Sequence, residues 1–132
     1  MDNHAPSLTG VPILVVEDDP AGARLLAVLL TSSGSDVRIA HSAEEALTVL
    51  EEFPAQVVVV DLLLPRMNGL LLVQRIKAAP ATRDVVVIAV SVVNGPETER
   101  LALERGCAAY IAKPIDIQTF AATVNAHLRG NA

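Results

Sequence analysis

Short runs rich in Val and Ile alternate along this chain with longer stretches in which apolar residues recur at helical spacing. The runs cover residues 13–16, 36–40, 56–60, 85–90 and 108–112. Three of them are nearly continuous in apolar side chains, as strands covered by helices on both faces must be. A strand followed by a helix, repeated, builds βαβ units around a parallel sheet. The pattern therefore predicts an α/β fold of five strands and five helices.

The helix boundaries carry their own signals. Asp19 and Pro20 open the first helix as N-cap and first helical residue, and Gly34 follows its end. Ser42 and Glu45 form a capping box for the second, which stops before Pro54. The third spans about residues 68–79 and ends at Pro80. Pro96 and Glu97 start the fourth, whose Leu101 and Leu103 precede a terminating Gly106. Asp116 caps the fifth, where Ile117, Phe120, Val124 and Leu128 repeat at helical spacing and face the sheet. No repeat, low-complexity tract or linker divides the chain. Residues 1–10, polar and broken by Pro6, read as a flexible tail ahead of one domain spanning 11–130.

Composition narrows the class. With 132 residues, 52 % hydrophobic and 19 % charged, the chain suits one domain with a substantial core. Net charge is −5 and the basic residues are scattered, so no footprint for nucleic acid or an anionic membrane is visible. Proteins and small ions are the expected partners. The longest apolar stretches, 25–30 and 57–60, fall short of the roughly 20 residues a membrane span needs. The start lacks the basic residues and apolar run of a signal peptide, which predicts a soluble, cytoplasmic protein. The one cysteine, Cys107, lies in an Ala-rich segment and reads as a small buried side chain in a reducing compartment. His4, His41 and His127 coincide with no motif and read as surface residues.

In open parallel sheets, chemistry collects where strands finish, at their carboxyl ends. Here strand one is followed by Glu17, Asp18 and Asp19, strand three by Asp61 and strand five by Lys113, while strand four reaches Ser91. Taken singly, each is ordinary: a helix-start acid, a turn serine, a solvated lysine. Their joint placement is what points to function. Carboxylates forced together resist ionisation unless a cation neutralises them. Oxygen-only ligands imply a hard ion, Mg²⁺, with Mn²⁺ or Ca²⁺ as substitutes. Such an ion beside a carboxylate, a lysine and a serine is shaped for a phosphoryl group, which Asp61 can accept as an acyl phosphate. Asp19 reads as a helix cap and not a metal ligand.

The chain resembles the receiver domain of bacterial response regulators from about residue 13 to residue 128. The resemblance is carried by ILVVEDDP at 13–20, VVVVDLLLPRMNG at 57–69, AVSVV at 89–93 and AAYIAKPI at 108–115. Asp18, Asp61, Ser91 and Lys113 follow one another at family-like separations of 43, 30 and 22 residues. The resemblance implies a flavodoxin-like (βα)5 three-layer sandwich with sheet order 2-1-3-4-5. It implies Asp61 as phosphoacceptor, Asp18 touching Mg²⁺ directly, Glu17 through water, and the backbone carbonyl of Leu63 as a further ligand. Ser91 and Lys113 would each hold a phosphoryl oxygen, and Lys113–Pro114 would be a cis peptide. Ser91 and Tyr110 would act as the switch that remodels the face of helix four, strand five and helix five.

By the same resemblance the donor is the phosphohistidine of a histidine kinase or phosphotransfer protein. The output is a downstream protein target, with homodimerisation through the same face as an additional mode. The chain would be a phosphoacceptor switch and not a multiple-turnover enzyme on small substrates. Leu63 and Val93, two residues beyond Asp61 and Ser91, are apolar where relatives carry groups that help place water, which predicts slow self-dephosphorylation. Leu25 and Val28 exceed what one buried stripe of helix one requires and are candidates for docking the donor. Other readings have weaker support. A flavin carrier would want Gly, Ser or Thr after strand one, where this chain is acidic. An aspartyl phosphatase would want an acid at position 63. The start at Met1 and the short end past helix five favour a complete protein modestly over the receiver of a longer regulator or hybrid kinase.

Overall fold

The computed structural model describes residues 7–64, 67–92 and 95–130. Strands β1 (Pro12–Val16), β2 (Asp36–Ala40), β3 (Val57–Asp61), β4 (Val86–Ser91) and β5 (Ala109–Ala112) alternate with helices α1 (Pro20–Thr31), α2 (Ala43–Leu50), α3 (Gly69–Ala78), α4 (Pro96–Glu104) and α5 (Phe120–Leu128). All strand pairs are parallel, in the order β2-β1-β3-β4-β5. This is the flavodoxin-like three-layer sandwich.

Successive strand residues point to opposite faces, and here both faces are covered. On one side Leu14, Val16, Val58, Val60, Val87 and Ala89 pack with Ala46 of α2, Leu72 and Ile76 of α3 and Ala102 of α4. On the other, Ile13, Val15, Val57, Val59, Ile88 and Val90 pack with Leu26 and Leu30 of α1 and Phe120 and Val124 of α5. Residues Val57 to Val60 are all fully buried, and each such side chain contributes about 1.5–3 kcal/mol relative to exposure. That double burial is why β3 reads as an unbroken apolar run.

The register matters more for function. Val16 pairs with Val60, Asp61 with Val90 and Ser91 with Ala112. The ends of β1, β3, β4 and β5 are thus level to within about a residue, and whatever follows them meets on one rim. The ladder also carries β3 and β4 one residue further than the apolar runs predict, so that Asp61 and Ser91 are the last residues of their strands.

Helix caps follow the local chemistry. Asp19 accepts from the Gly22 amide at 3.0 Å, Ser42 from Glu45 at 3.0 Å and Asn68 from Leu71 at 2.9 Å. The Glu45 carboxylate reaches the amide of His41, not that of Ser42, so the return half of the capping box is displaced by one residue. The expected cap of the fifth helix is corrected. Asp116 instead heads a turn, its carboxylate accepting from the Gln118 amide and its carbonyl from Thr119 and Phe120. The helix begins only at Phe120, and Ile117 is 60 % exposed and does not face the sheet. The apolar spacing alone could not reveal the intervening turn.

The end of the expected tail is also corrected. Leu8 is fully buried with Leu30 and Val124 in the second core cluster. Its amide donates to Ser33, and that of Gly10 donates to Gly34. Gly34 has φ +95°, and a Cβ there would sit 2.8 Å from the Cα of Thr9. Both conditions require glycine. One apolar residue in a polar segment has no periodicity from which this docking could be read. Cys107 is buried, as expected of a small side chain in its Ala-rich segment, and burial pushes its thiol up to about 11. Among the described residues no helix is long and apolar enough to cross a membrane.

Candidate functional site

Glu17 leaves β1 with its amide donating to Ala40 of β2 at 3.0 Å, which fixes the direction of the chain before α1 starts. Its side chain is only 1 % exposed. Asp61 at the end of β3 is 8 % exposed and Ser91 at the end of β4 is fully buried. Asp18, at the mouth of the loop, is exposed. One carboxylate oxygen from each of Glu17, Asp18 and Asp61 lies within 4.8 Å of the others.

Lys113, just past β5, holds this rim together. Its Nζ donates to Glu17 Oε1 at 2.6 Å and to Asp61 Oδ2 at 3.0 Å. Its backbone amide donates to the Ser91 carbonyl at 2.9 Å, and the Lys113–Pro114 bond is cis. The remaining carboxylate oxygens are oriented by the backbone: Asp61 Oδ1 accepts from the Leu63 amide at 2.9 Å, and Glu17 Oε2 from that of Asp19 at 3.2 Å. Leu63 itself is half exposed. Asp19, occupied with capping Gly22, does not join the carboxylate cluster.

The electrostatics are those of an undercompensated site. Burial raises the Glu17 carboxyl above its ordinary range, and the Lys113 hydrogen bond only partly offsets it. Burial alone would lower the Lys113 ammonium. Its hydrogen bonds to Glu17 and Asp61 outweigh that, so its pKa is raised overall. Two carboxylates at such a separation repel by about 3 kcal/mol at an effective dielectric near 20. One lysine cannot neutralise three carboxylates. Three convergent hard oxygen donors with excess negative charge fit a divalent cation of the Mg²⁺ type.

Gly69 positions the loop after β3. A Cβ there would lie 2.5 Å from the Leu62 Cα and 2.6 Å from the Asp61 carbonyl oxygen, so only glycine lets the start of α3 approach the strand end this closely. Tyr110 on β5 carries a buried hydroxyl without a hydrogen-bond partner among the described residues. Burial raises its pKa, with the charges of Glu99 and Asp61 adding to the effect. Val93 and Asn94 lie outside the described residues, as do Pro65 and Arg66. One contact was missed from the sequence: the exposed His41 places Nδ1 3.1 Å from the Glu17 carbonyl oxygen. His41 is the residue just after β2, and the strand-end rule would have found it had it been applied to that strand.

Residues 13–125 match the family model of the response regulator receiver domain. The chain belongs to this receiver family. Receiver domains are switch domains rather than classical enzymes, act within two-component systems with histidine kinases and downstream targets, and bind Mg²⁺ at an acidic site. The receiver is 30 % identical to the polar-differentiation response regulator DivK of Brucella ovis over 88 % of this chain and 94 % of that one. It is 35 % identical to the DNA-binding response regulator MtrA of Mycolicibacterium smegmatis over 90 % of this chain. Among solved structures, the signal receiver domain of a signal transduction histidine kinase from Syntrophus aciditrophicus superimposes with a TM-score of 0.83 at 29 % identity, covering 92 % of each chain. The receiver spans 51 % of the length of MtrA and 27 % of a longer relative from Vibrio cholerae.

Proposed function

We propose that Asp61 accepts a phosphoryl group from the phosphohistidine of a histidine kinase or histidine phosphotransfer protein. A carboxylate oxygen of Asp61 bonds to phosphorus as the phosphorus–nitrogen bond breaks and its electron pair returns to the imidazole. The observation that carries this reading is Lys113 Nζ held by the buried Glu17 and Asp61, at a rim where the exposed Asp18 brings a third carboxylate. Glu17, Asp18, Asp61 and the backbone carbonyl of Leu63 are the proposed ligands of Mg²⁺, or Mn²⁺ in its place. When bound, that ion neutralises the negative charge that an incoming phosphoryl group adds to the rim. Lys113 and Ser91 each hold a phosphoryl oxygen, Lys113 exchanging part of its contact with Asp61 for one.

Ser91 and Tyr110 are the proposed switch, acting on the face of α4, β5 and α5, through which a protein target is bound and two copies can pair. The cell compartment is the cytoplasm, and no direct nucleic-acid contact belongs to this domain. The test of the site is labelling by a small radiolabelled phosphodonor. An acid-labile label is expected with Mg²⁺ and is lost on chelation by EDTA. Undiminished labelling in EDTA would refute the metal assignment.

Two further expectations concern the surroundings of Asp61. Leu63 is apolar and half exposed beside it, a poor group for holding an attacking water. The aspartyl phosphate is therefore expected to outlast a minute at neutral pH, and Leu63→Asn, which can bind water, shortens its life by about ten-fold. A wild-type lifetime of seconds contradicts this. On α1, Leu25 and Val28 are 44 % and 53 % exposed beside Arg24, a patch suited to a helical donor domain. Arg24→Glu is expected to slow transfer from a phosphohistidine protein several-fold and to leave labelling by a small donor unchanged. Equal transfer rates would remove α1 from the docking surface.

A further inference from the structure

Residues 7–11 lead into β1 across the ends of two helices. The Leu8 amide donates to the Ser33 carbonyl at 3.1 Å and the Gly10 amide to that of Gly34 at 2.9 Å, which bonds the segment to the chain just past α1. A turn closed by the Val11 amide on the Leu8 carbonyl at 2.9 Å, with Gly10 at φ +75°, fixes its shape. The Val11 carbonyl in turn accepts from the Ser35 hydroxyl at 2.6 Å. The other attachment is to α5. Leu8 is fully buried in the core cluster that holds Val124 of that helix. The Ser7 carbonyl accepts from Arg129 Nη2 at 3.4 Å, and Arg129 Nε donates to Oδ1 of the buried Asn125 at 3.2 Å. The segment thus joins the carboxyl ends of α1 and α5, at the rim where the strands begin and opposite the rim that carries Asp61.

The other helix of the α4, β5 and α5 face is held differently. Among the nine residues of α4 only Ala102 is buried, and Leu103 is 44 % exposed. Its ion pairs, Arg100 with Glu97 at 2.6 Å and with Glu104 at 2.7 Å, are exposed and internal to the helix. They support the helical shape without attaching it to the sheet. Elements with few buried apolar contacts shift and open most readily.

We propose that residues 7–11 are a strap that clamps the end of α5 to the end of α1, so that α5 stays fixed and the response to phosphorylation of Asp61 is confined to the α4 side of the face. The second half of this inference rests on the phosphoacceptor reading of Asp61, and the first half does not. A partner that reads the phosphorylated state would then recognise a changed α4 beside an unchanged α5.

The experiment is amide hydrogen exchange on the whole chain, with and without beryllofluoride and Mg²⁺ as the mimic of the phosphoryl group. In the absence of the mimic, Leu8→Ala is expected to speed exchange at the end of α5 by at least about ten-fold and to leave α3 protected, because a fully buried leucine is cut back to a methyl group. Arg129→Ala, which removes only the outer link, is expected to speed it by about two- to three-fold. Should Leu8→Ala cost α3 its protection as well, the Arg129 variant decides. Unchanged exchange of α5 in that variant and in Leu8→Ala overturns the strap. In the unaltered protein the mimic is expected to alter exchange in α4 several-fold and to leave α5 within about two-fold, whereas in Leu8→Ala both helices respond. A response of α5 equal to that of α4 in the unaltered protein overturns the confinement. No response to beryllofluoride anywhere would instead overturn the phosphoacceptor reading, with the comparison made without the mimic still judging the strap.

Discussion

Asp61→Asn is expected to lower acid-labile phosphorylation by at least about a hundred-fold while the protein remains folded. The amide matches the carboxylate in shape, and its oxygen can still accept from the Leu63 amide, now bonded to Asp61 Oδ1 at 2.9 Å. What it lacks is the negative charge that makes the oxygen a nucleophile. Folding should be insensitive or slightly favoured, because the change removes one of two buried carboxylates and leaves Lys113 its contact with Glu17 at 2.6 Å. The measurements are label incorporation from a phosphodonor with Mg²⁺ and a thermal melt. Equal labelling of both proteins would mean that another residue accepts the group, and the central reading would be lost.

Lys113→Met tests the other half of the site and separates its chemical from its structural part. Transfer to Asp61 is expected to fall by about a hundred-fold, the scale seen when a preorganised charge at a transition state is removed. Stability should also fall at neutral pH, because Glu17 at 1 % and Asp61 at 8 % exposure lose their shared cation. Breaking a fully buried pair costs about 3–5 kcal/mol, and the partial exposure of Lys113 reduces the expectation to about 1–3 kcal/mol. The pH dependence has a definite sign. The Glu17 carboxyl is raised in the folded state, chiefly by burial, so the native protein binds more protons than the unfolded chain between the unfolded and folded values. Stability then decreases as pH rises through that window and is recovered as pH falls.

Without Lys113 the window moves further upward, so the destabilisation of the variant should shrink on acidification. Mg²⁺ should raise the melting temperature of Lys113→Met more than that of the unaltered protein, since the ion replaces the missing positive charge. Denaturation curves at several pH values with and without Mg²⁺ check all three expectations. A variant as stable as its parent throughout would show that the contacts of Lys113 are incidental.

These expectations depend on parts of the molecule that were unequally legible in the chain. The α/β class, the five strands and the caps at Asp19 and Ser42 follow from local chemistry: burial period, hydroxyl or carboxylate at the N-cap, proline at the first helical residue. The candidates Glu17, Asp18, Asp61, Ser91 and Lys113 could be named because they follow or finish apolar runs, and parallel strands carry such positions to a common edge. Local signals failed where an element was short or a contact remote. Ile117 kept the helical spacing yet lies in a turn, and Leu8 had no pattern to mark it, although both positions are plain in three dimensions.

By itself, then, the amino-acid sequence determined the order of strands and helices and which polar groups stand at strand ends, since both depend on neighbours a few positions apart. Only the tertiary structure decided that Lys113 bonds Glu17 and Asp61 together and that Gly69 must lack a side chain to approach the carbonyl of Asp61. Those are contacts and spaces between residues as far as 96 positions apart. Their distances are set by sheet register and helix packing, which no local pattern encodes.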